Sequence, residues 1–171
     1  MHIRHATFDD LEAILEIYND AVINTVAIWN EQTVDLQDRR EWLIQHQDYG
    51  YPVLVGVDDN DDVLGYATFG DWRPWEGYRH SVEHSVYVRS DRRGGGIGKR
   101  LMRELIDCAR TTGKHVMVAG IEASNEGSIR LHKKLGFQEI GTLREVGSKF
   151  GRWLDLTFMQ LILDDAANPG D

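Results

Sequence analysis

The 171-residue chain has one cysteine, Cys108, and three prolines. A single cysteine excludes an internal disulfide and any cysteine cluster for a metal, and it makes the cytoplasm the expected compartment. No apolar run approaches the roughly 20 residues that a membrane helix needs. The start, Met1-His2-Ile3-Arg4-His5, has no apolar signal-peptide core. Cations are also few: 19 Lys and Arg stand against 28 Asp and Glu, a formal net charge of −9. Such a balance repels phosphate backbones, so neither nucleic acid nor a membrane is an expected partner. The histidines, His84 and His115 included, show no metal-ligand spacing, so no metal is expected and neither residue receives a role. What is present, 42% hydrophobic and 27% charged residues, is ordinary for one globular domain that buries most of its apolar surface.

The elements alternate. Residues 3–6 read as a short strand. Thr7 followed by Asp10 has the form of a capping box, and Leu11, Ile14, Leu15, Tyr18 and Val22 then recur at helical spacing. A second helix is expected over 36–47, with Trp42 and Leu43 inward. Strands are expected over 51–57 and 63–69. The acidic run 58–62 between them reads as a hairpin turn, since no distal bidentate Glu completes a calcium loop. A twelve-residue loop, 70–81, leads to an alternating strand over 83–88. A helix follows to about Thr112 on Leu101, Leu105, Cys108 and Ala109, with Cys108 as a core residue and Gly113 as the stop. Residues 115–120 read as a strand. Asn125 can cap the next helix, Leu131 and Leu135 can anchor it, and Gly136 can end it. Residues 153–163 give a last strand. The domain is expected to span 1–163, with a frayed tail over 164–171.

Arg93-Gly94-Gly95-Gly96-Ile97-Gly98 lies between the 83–88 strand and the following helix. Four glycines in five positions leave the amides of the turn bare, and a helix N-terminus adds unpaired donors and partial positive charge. Such a corner suits a phosphate group. From Arg89 to Arg103, Arg89, Arg92, Arg93, Lys99, Arg100 and Arg103 face one acid, Asp91. Lys99 and Arg100 stand in the first helical turn, the end that disfavours cations, and a bound anion would relieve that conflict. A structural turn with a solvated basic face also accounts for these residues. The dinucleotide fingerprint fails because Lys99 stands where its third glycine belongs, and the triphosphate loop fails at Arg93 and Arg100.

The remaining pattern, Arg-x-x-Gly-x-Gly, resembles the acetyl-CoA pyrophosphate loop of the GNAT N-acetyltransferase superfamily, whose signature is Gln/Arg-x-x-Gly-x-Gly/Ala. The segment 125–137, ending in Gly136-Phe137, is similar to the family's later helix-and-strand motif. Three further segments, 72–79, 82–88 and 149–155, resemble the phosphinothricin and methionine sulfoximine/sulfone acetyltransferase group. The resemblance covers roughly residues 3–163. It implies an α/β single-domain fold: a central mixed, mostly antiparallel sheet flanked by helices. It also implies transfer of an acetyl group from acetyl-CoA to the α-amine of a small amino acid or analogue, such as methionine sulfoximine, methionine sulfone or phosphinothricin.

The chemistry requires a group that takes a proton from the amine, whose pKa is about 7.7–8.0 in model compounds, and a donor for the departing thiolate. Position alone leaves Glu83 balanced between a general base and a salt-bridged surface residue. The resembled group uses a glutamate there, which makes Glu83 the expected base. It shares strand parity with Ser85 and Tyr87. His132 is the candidate acid. The superfamily most often has tyrosine at this place, and an ordinary helix histidine remains the alternative. Asn125, Ser128 and His132 fall on one helix stripe. The resemblance further implies that acetyl-CoA, the expected co-substrate, runs its pantetheine arm along Val86, Tyr87 and Val88. Its pyrophosphate would lie on the amides of Gly94, Gly95, Gly96, Ile97, Gly98 and Lys99, with added charge from Arg93 and Lys99. Asn125 would hold the pantetheine, with Ser128 as a further contact. The 70–81 loop carries aromatics and arginines that suit a small carboxylate, so Arg73, Glu76, Gly77 and Tyr78 are the acceptor candidates. Packing of those aromatics against a second subunit competes with that reading. The family pocket lies near a homodimer interface, to which residues 149–153 would contribute. Acetylation of protein N-termini, lysines or polyamines, and a non-catalytic acyl-CoA-binding module, remain alternatives.

Overall fold

The computed structural model describes residues 1–169. These form β1 (His2–His5), α1 (Leu11–Asn24), α2 (Leu36–Asp48), β2 (Val53–Val57), β3 (Val63–Asp71), β4 (Ser81–Val88), α3 (Ile97–Thr111), β5 (Val116–Glu122), α4 (Glu126–Lys134), β6 (Gln138–Lys149) and β7 (Arg152–Ile162). The strands make one sheet in the order β1-β2-β3-β4-β5-β7-β6. Every neighbouring pair is antiparallel except β4 and β5. This is the mixed, mostly antiparallel architecture expected from the sequence.

The sheet is covered on both faces, and the period-two alternation of its strands sorts the core. Leu54 of β2 joins Ala67 and Phe69 under α3, where Leu101, Met102, Leu105 and Ala109 form the buried stripe. Val53, Val55 and Val57 point the other way, onto Leu11, Ile14 and Ile17 of α1 and Leu43 of α2. Ile17 takes the buried place that the spacing assigned to Leu15, which is only half-buried. Cys108 is likewise half-buried at the edge of the α3 stripe, and burial with nearby Glu104 and Asp107 raises its thiol pKa. The Thr7–Asp10 box is present: Asp10 accepts the Thr7 N–H at 2.7 Å and a two-pronged pair from Arg4 at 2.7 and 2.8 Å. The acidic run is a hairpin turn in which Asp58 accepts the amides of Asn60 and Asp62. The 70–81 loop is shorter than expected, because β3 runs on to Asp71 and Glu76–Tyr78 winds into a single 3-10 turn. The long strand β6 had no counterpart in the sequence reading. In the tail, Asp164 bonds His115 Nδ1 at 2.8 Å, so its start is held, while Gly170 and Asp171 lie outside the described residues. Among the described residues no helix is long and apolar enough to cross a membrane.

One feature of the sheet positions the site. The parallel ladder between β4 and β5 covers only Ser81, Val82 and Glu83 against Val116, Met117 and Val118. Beyond it, among the described residues, β4 is paired to β3 alone and β5 to β7 alone. Gly65 lets β3 close tightly on the free-edged part of β4: a Cβ there would lie 2.7 Å from the Tyr87 carbonyl oxygen and 3.2 Å from Val88 Cα. Both atoms are backbone and cannot swing aside. Gly65→Ala is therefore expected to lower stability by about 1–3 kcal/mol through overpacking, read as a reduced urea midpoint at unchanged slope.

Candidate active site

The glycine turn forms as its composition requires. Gly94 and Gly96 adopt φ of +83° and +80°, and Gly96 is the N-cap of α3. Residues with a Cβ are strained in this left-handed region. A groove of about 640 Å³ runs from the turn along the free edge of β4. Val86, Tyr87 and Val88 make one wall, Asn125 and Ser128 the other, and Arg93, Gly94, Gly96, Ile97, Gly98 and Lys99 close one end. Gly95 alone of the expected cofactor residues is off the lining.

The basic island around the turn is partly spent. Arg89 and Arg92 both pair with Asp91, at 2.7 and 3.5 Å. Arg100 donates to the Met1 carbonyl, and Arg93 to the Val88 carbonyl with Asp20 at 3.5 Å. Lys99 makes no ion pair among the described residues. Bare amides, a helix N-terminus and a lining free of carboxylates at the turn fit a diphosphate.

Deeper along β4 the groove opens into a second cavity of about 390 Å³. The two share Ala27, Val86, Tyr87, Glu122, Asn125 and Ser128, so a molecule in the groove meets one in the cavity at this junction. Glu83 lies at the root, on the last rung of the β4–β5 ladder. Its carboxylate makes no hydrogen bond among the described residues. It reaches across to β5, where a Cβ on Gly120 would lie 2.9 Å from Oε1. Burial pushes its pKa above the ordinary carboxylate range, and the Arg73 charge offsets part of the rise.

His132 lines the same cavity and is 1% exposed. Its Nδ1 is 2.7 Å from the Ser128 carbonyl and 3.4 Å from Ser128 Oγ, and its Nε2 is 2.9 Å from Nε2 of His84. These contacts assign the tautomers. A carbonyl only accepts, so Nδ1 of His132 carries the hydrogen and its Nε2 is a lone pair. His84 must then donate through Nε2, which leaves its Nδ1 bare, and that atom is buried without a partner among the described residues. An added proton would put an N–H at this same unpartnered Nδ1. Burial, with the neighbouring ring for His84 and against the Ser128 bond for His132, holds both pKa values below the ordinary histidine value. The pair is neutral at pH 7. His84, left without a role in the sequence reading, is thus the direct partner of His132.

The acceptor candidates are not gathered on this cavity. Arg73, Glu76, Gly77 and Tyr78 are exposed and none of them lines it. Arg73 stacks its guanidinium over Trp72 at 4.9 Å, and its charge reaches Glu83. Asp71, Gly120, Glu122 and Ala27 line it instead. A glycine inside a strand signals close approach of another group, so Gly120 was detectable. Asp71 was hidden because it was read as loop. Asn125 caps α4 as expected, its Oδ1 taking the Ser128 N–H at 3.1 Å, which leaves Nδ2 to donate into the groove. Among the described residues no cluster of metal-ligating side chains occurs.

Comparison with known proteins shows the family of the chain. The family model described as an acetyltransferase (GNAT) domain matches residues 3–158. A methionine sulfoximine/methionine sulfone acetyltransferase of Pseudomonas aeruginosa is 59% identical over 162 residues, covering 95% of this chain and 94% of its own. An acetyltransferase of Salmonella typhimurium, solved with its cofactor acetyl-CoA, superposes with a TM-score of 0.96 at 57% identity, over 99% of this chain and 97% of its own. A structure of Brucella melitensis described as a ribosomal-protein-alanine N-acetyltransferase superposes at 0.93 with 59% identity, over 95% and 99% of the two chains.

The Glu83–Gly120 contact has a measurable consequence. A methyl at position 120 meets the mobile end of a side chain, so the carboxylate moves and the backbone does not. Gly120→Ala is expected to keep its melting temperature and lose about 10²-fold in acetyl-transfer rate, checked by calorimetry beside a thiol-release assay.

Proposed function

Because this chain belongs to the GNAT acetyltransferase family, we propose that it transfers the acetyl group of acetyl-CoA to the α-amine of a small free amino acid, with methionine sulfoximine, methionine sulfone and phosphinothricin as the acceptors to try first. The observation that carries this reading is the junction: a phosphate-receptive groove opens, at Val86, Tyr87 and Ser128, into a small cavity holding a half-buried, unpaired carboxylate. Bound acetyl-CoA supplies an activated acetyl group as its thioester. The chain's residues do the rest.

Glu83 takes the proton from the incoming ammonium, directly or through one water. Its raised pKa brings it nearer that of the amine. Amides on the free edge of β4 are available to the oxygen that gains charge during attack. His132 acts at one remove, in our reading. Its Nδ1–H faces Ser128 Oγ as well as the carbonyl, which frees the Ser128 hydroxyl hydrogen to bond the departing thiolate. Arg73 grips the acceptor carboxylate from the edge of the cavity.

A homodimer completes the proposal. Ile140, Leu143, Val146, Phe150 and Trp153 are exposed along β6 and β7, as are Trp75 and Tyr78 of the acceptor loop. A second copy packed there would enclose that loop. The carboxylates of the cavity suit any ammonium, and the Arg73 charge beside Glu83 favours an acceptor that also carries a carboxylate, which a polyamine lacks. The name carried by the Brucella relative keeps peptide N-termini in the comparison.

Thiol release from acetyl-CoA over a panel of amines tests the acceptor: turnover on methionine sulfoximine or sulfone, with little on spermidine or alanine-ended peptides, is expected. The reverse pattern overturns the small-acceptor reading. For the base, Glu83→Gln is expected to lower kcat by about 10²-fold or more at unchanged acetyl-CoA affinity. The pH dependence has a definite sign. Arg73 favours the charged carboxylate, so Arg73→Gln raises the Glu83 pKa and moves the acid limb of kcat/KM to higher pH. A limb that stays in place separates Glu83 from the titrating group.

A further inference from the structure

One ammonium outside the reacting groups is buried. Lys149, the last residue of β6, is 1% exposed. Its Nζ donates to three backbone carbonyls, Val22 at 2.5 Å, Thr25 at 2.7 Å and Ile28 at 2.5 Å. Three hydrogens meet three acceptors, which requires the protonated amine. The Val22 carbonyl belongs to the last turn of α1, where carbonyls lack intrahelical partners and a cation is favoured. The other two belong to the connection that follows. That connection forms part of the site: Thr25, Val26 and Ala27 line the groove, and Ala27 borders the acceptor cavity as well.

The same end of β6 holds the connection further along. A Cβ on Gly147 would overlap the Trp29 ring, so the ring lies directly on that backbone. Trp29 Nε1 in turn donates to the Val26 carbonyl at 3.0 Å. Phe150 N donates to Glu31 Oε1 at 3.0 Å. Polar bonds and one steric contact thus fix residues 22–31 to a strand on the far edge of the sheet.

We infer that Lys149 is a positioning residue: its ammonium holds the 22–28 backbone as the wall where the two cavities meet, and so sets the affinity for both substrates without touching either. The inference rests on the proposed reaction only for the identity of those substrates. When a wall is ordered in only a fraction of molecules, apparent affinity falls by that fraction while the chemistry of the ordered fraction is unchanged.

Lys149→Met keeps the length of the side chain and removes all three donors. The expected result is faster amide hydrogen exchange confined to residues 22–28, with KM for acetyl-CoA and for the acceptor each raised about tenfold as the ordered fraction drops. The change in kcat should be much smaller, and Lys149→Arg, which keeps the charge but not the three-way geometry, should fall between. A folded Lys149→Met protein with a lower melting temperature, unchanged KM values and no local rise in exchange overturns the inference and leaves Lys149 as a stability residue only. Should Lys149→Met fail to fold, Gly147→Ala displaces Trp29 and the same connection with the ammonium in place. Raised KM values there support the wall, and unchanged ones overturn it. If the wild-type chain turns over no amine in the panel, coenzyme A affinity by titration calorimetry replaces KM, so failure of the reaction is read separately from failure of the wall.

Discussion

Everything in the site depends on how early β4 and β5 stop pairing. Three residues of parallel ladder are enough to fix their relative position, and the ladder ends at Glu83. A longer ladder would saturate the free edge of β4 and leave no room between the strands. A shorter one would leave Glu83 without a rigid base. Each strand remains anchored on its other side, β4 through seven residues to β3 and β5 through seven to β7, so the opening costs the sheet little order. The cleft is therefore a rigid gap with unpaired amides on one wall, an arrangement suited to an extended ligand that pairs like a strand.

The electrostatics follow from the same opening. In a strongly acidic chain the turn before α3 is kept receptive to anions by backbone geometry more than by arginine count. Most of the cations counted near it are tied to Asp91, Asp20 or main-chain carbonyls. What suits the turn to a phosphate is the set of amides left bare by Gly94 and Gly96 in their left-handed conformations. At the other end of the groove the polarity reverses: Glu83, Asp71 and Glu122 line the acceptor cavity, which suits an ammonium. The two ends of the groove thus suit groups of opposite charge.

Local features were legible in the sequence and long-range ones were not. The Thr7–Asp10 box, the Asn125 cap, the glycine turn and the acidic hairpin are each set by residues a few positions apart, and all appear as read. The part of the groove lining in residues 86–99 was legible for the same reason, since it is one strand, one turn and one helix start in succession, whereas the wall from Thr25 to Ala27 was not. His84 was not. Strand alternation puts it on the face opposite Glu83, and only the packing of α4 over the end of the ladder brings His132 to it, 48 residues away. Asp71 was missed because the loop was read from Gly70, while pairing with Glu83 and Val82 carries β3 two residues further. β6 was missed because its bulges at 139–141 and 143–147 break the alternation that marks a strand. Lys149 presents no local signal at all: its partners are 121 to 127 residues distant.

That distance points to how the site resolves a conflict within itself. A half-buried carboxylate without a partner destabilises the fold once it is ionised. With the folded pKa of Glu83 above its unfolded value, the folded state binds the proton more tightly, and stability falls as pH rises through the interval between the two. Pairing Glu83 with a neighbouring cation would remove the cost, but it would also lower the pKa and the basicity that an amine's proton requires. Arg73 acts only at a distance and so offsets part of the rise without forming a pair. The surroundings of the cleft are held from outside it as well, by the neutral histidine pair joining β4 to α4 and by the Lys149 ammonium joining β6 to α1. Both devices make their hydrogen bonds away from Glu83, and neither brings a charge against it. Among the described residues the Glu83 carboxylate stays unpaired because the residues that hold its surroundings in place use backbone carbonyls and a neutral ring as their partners.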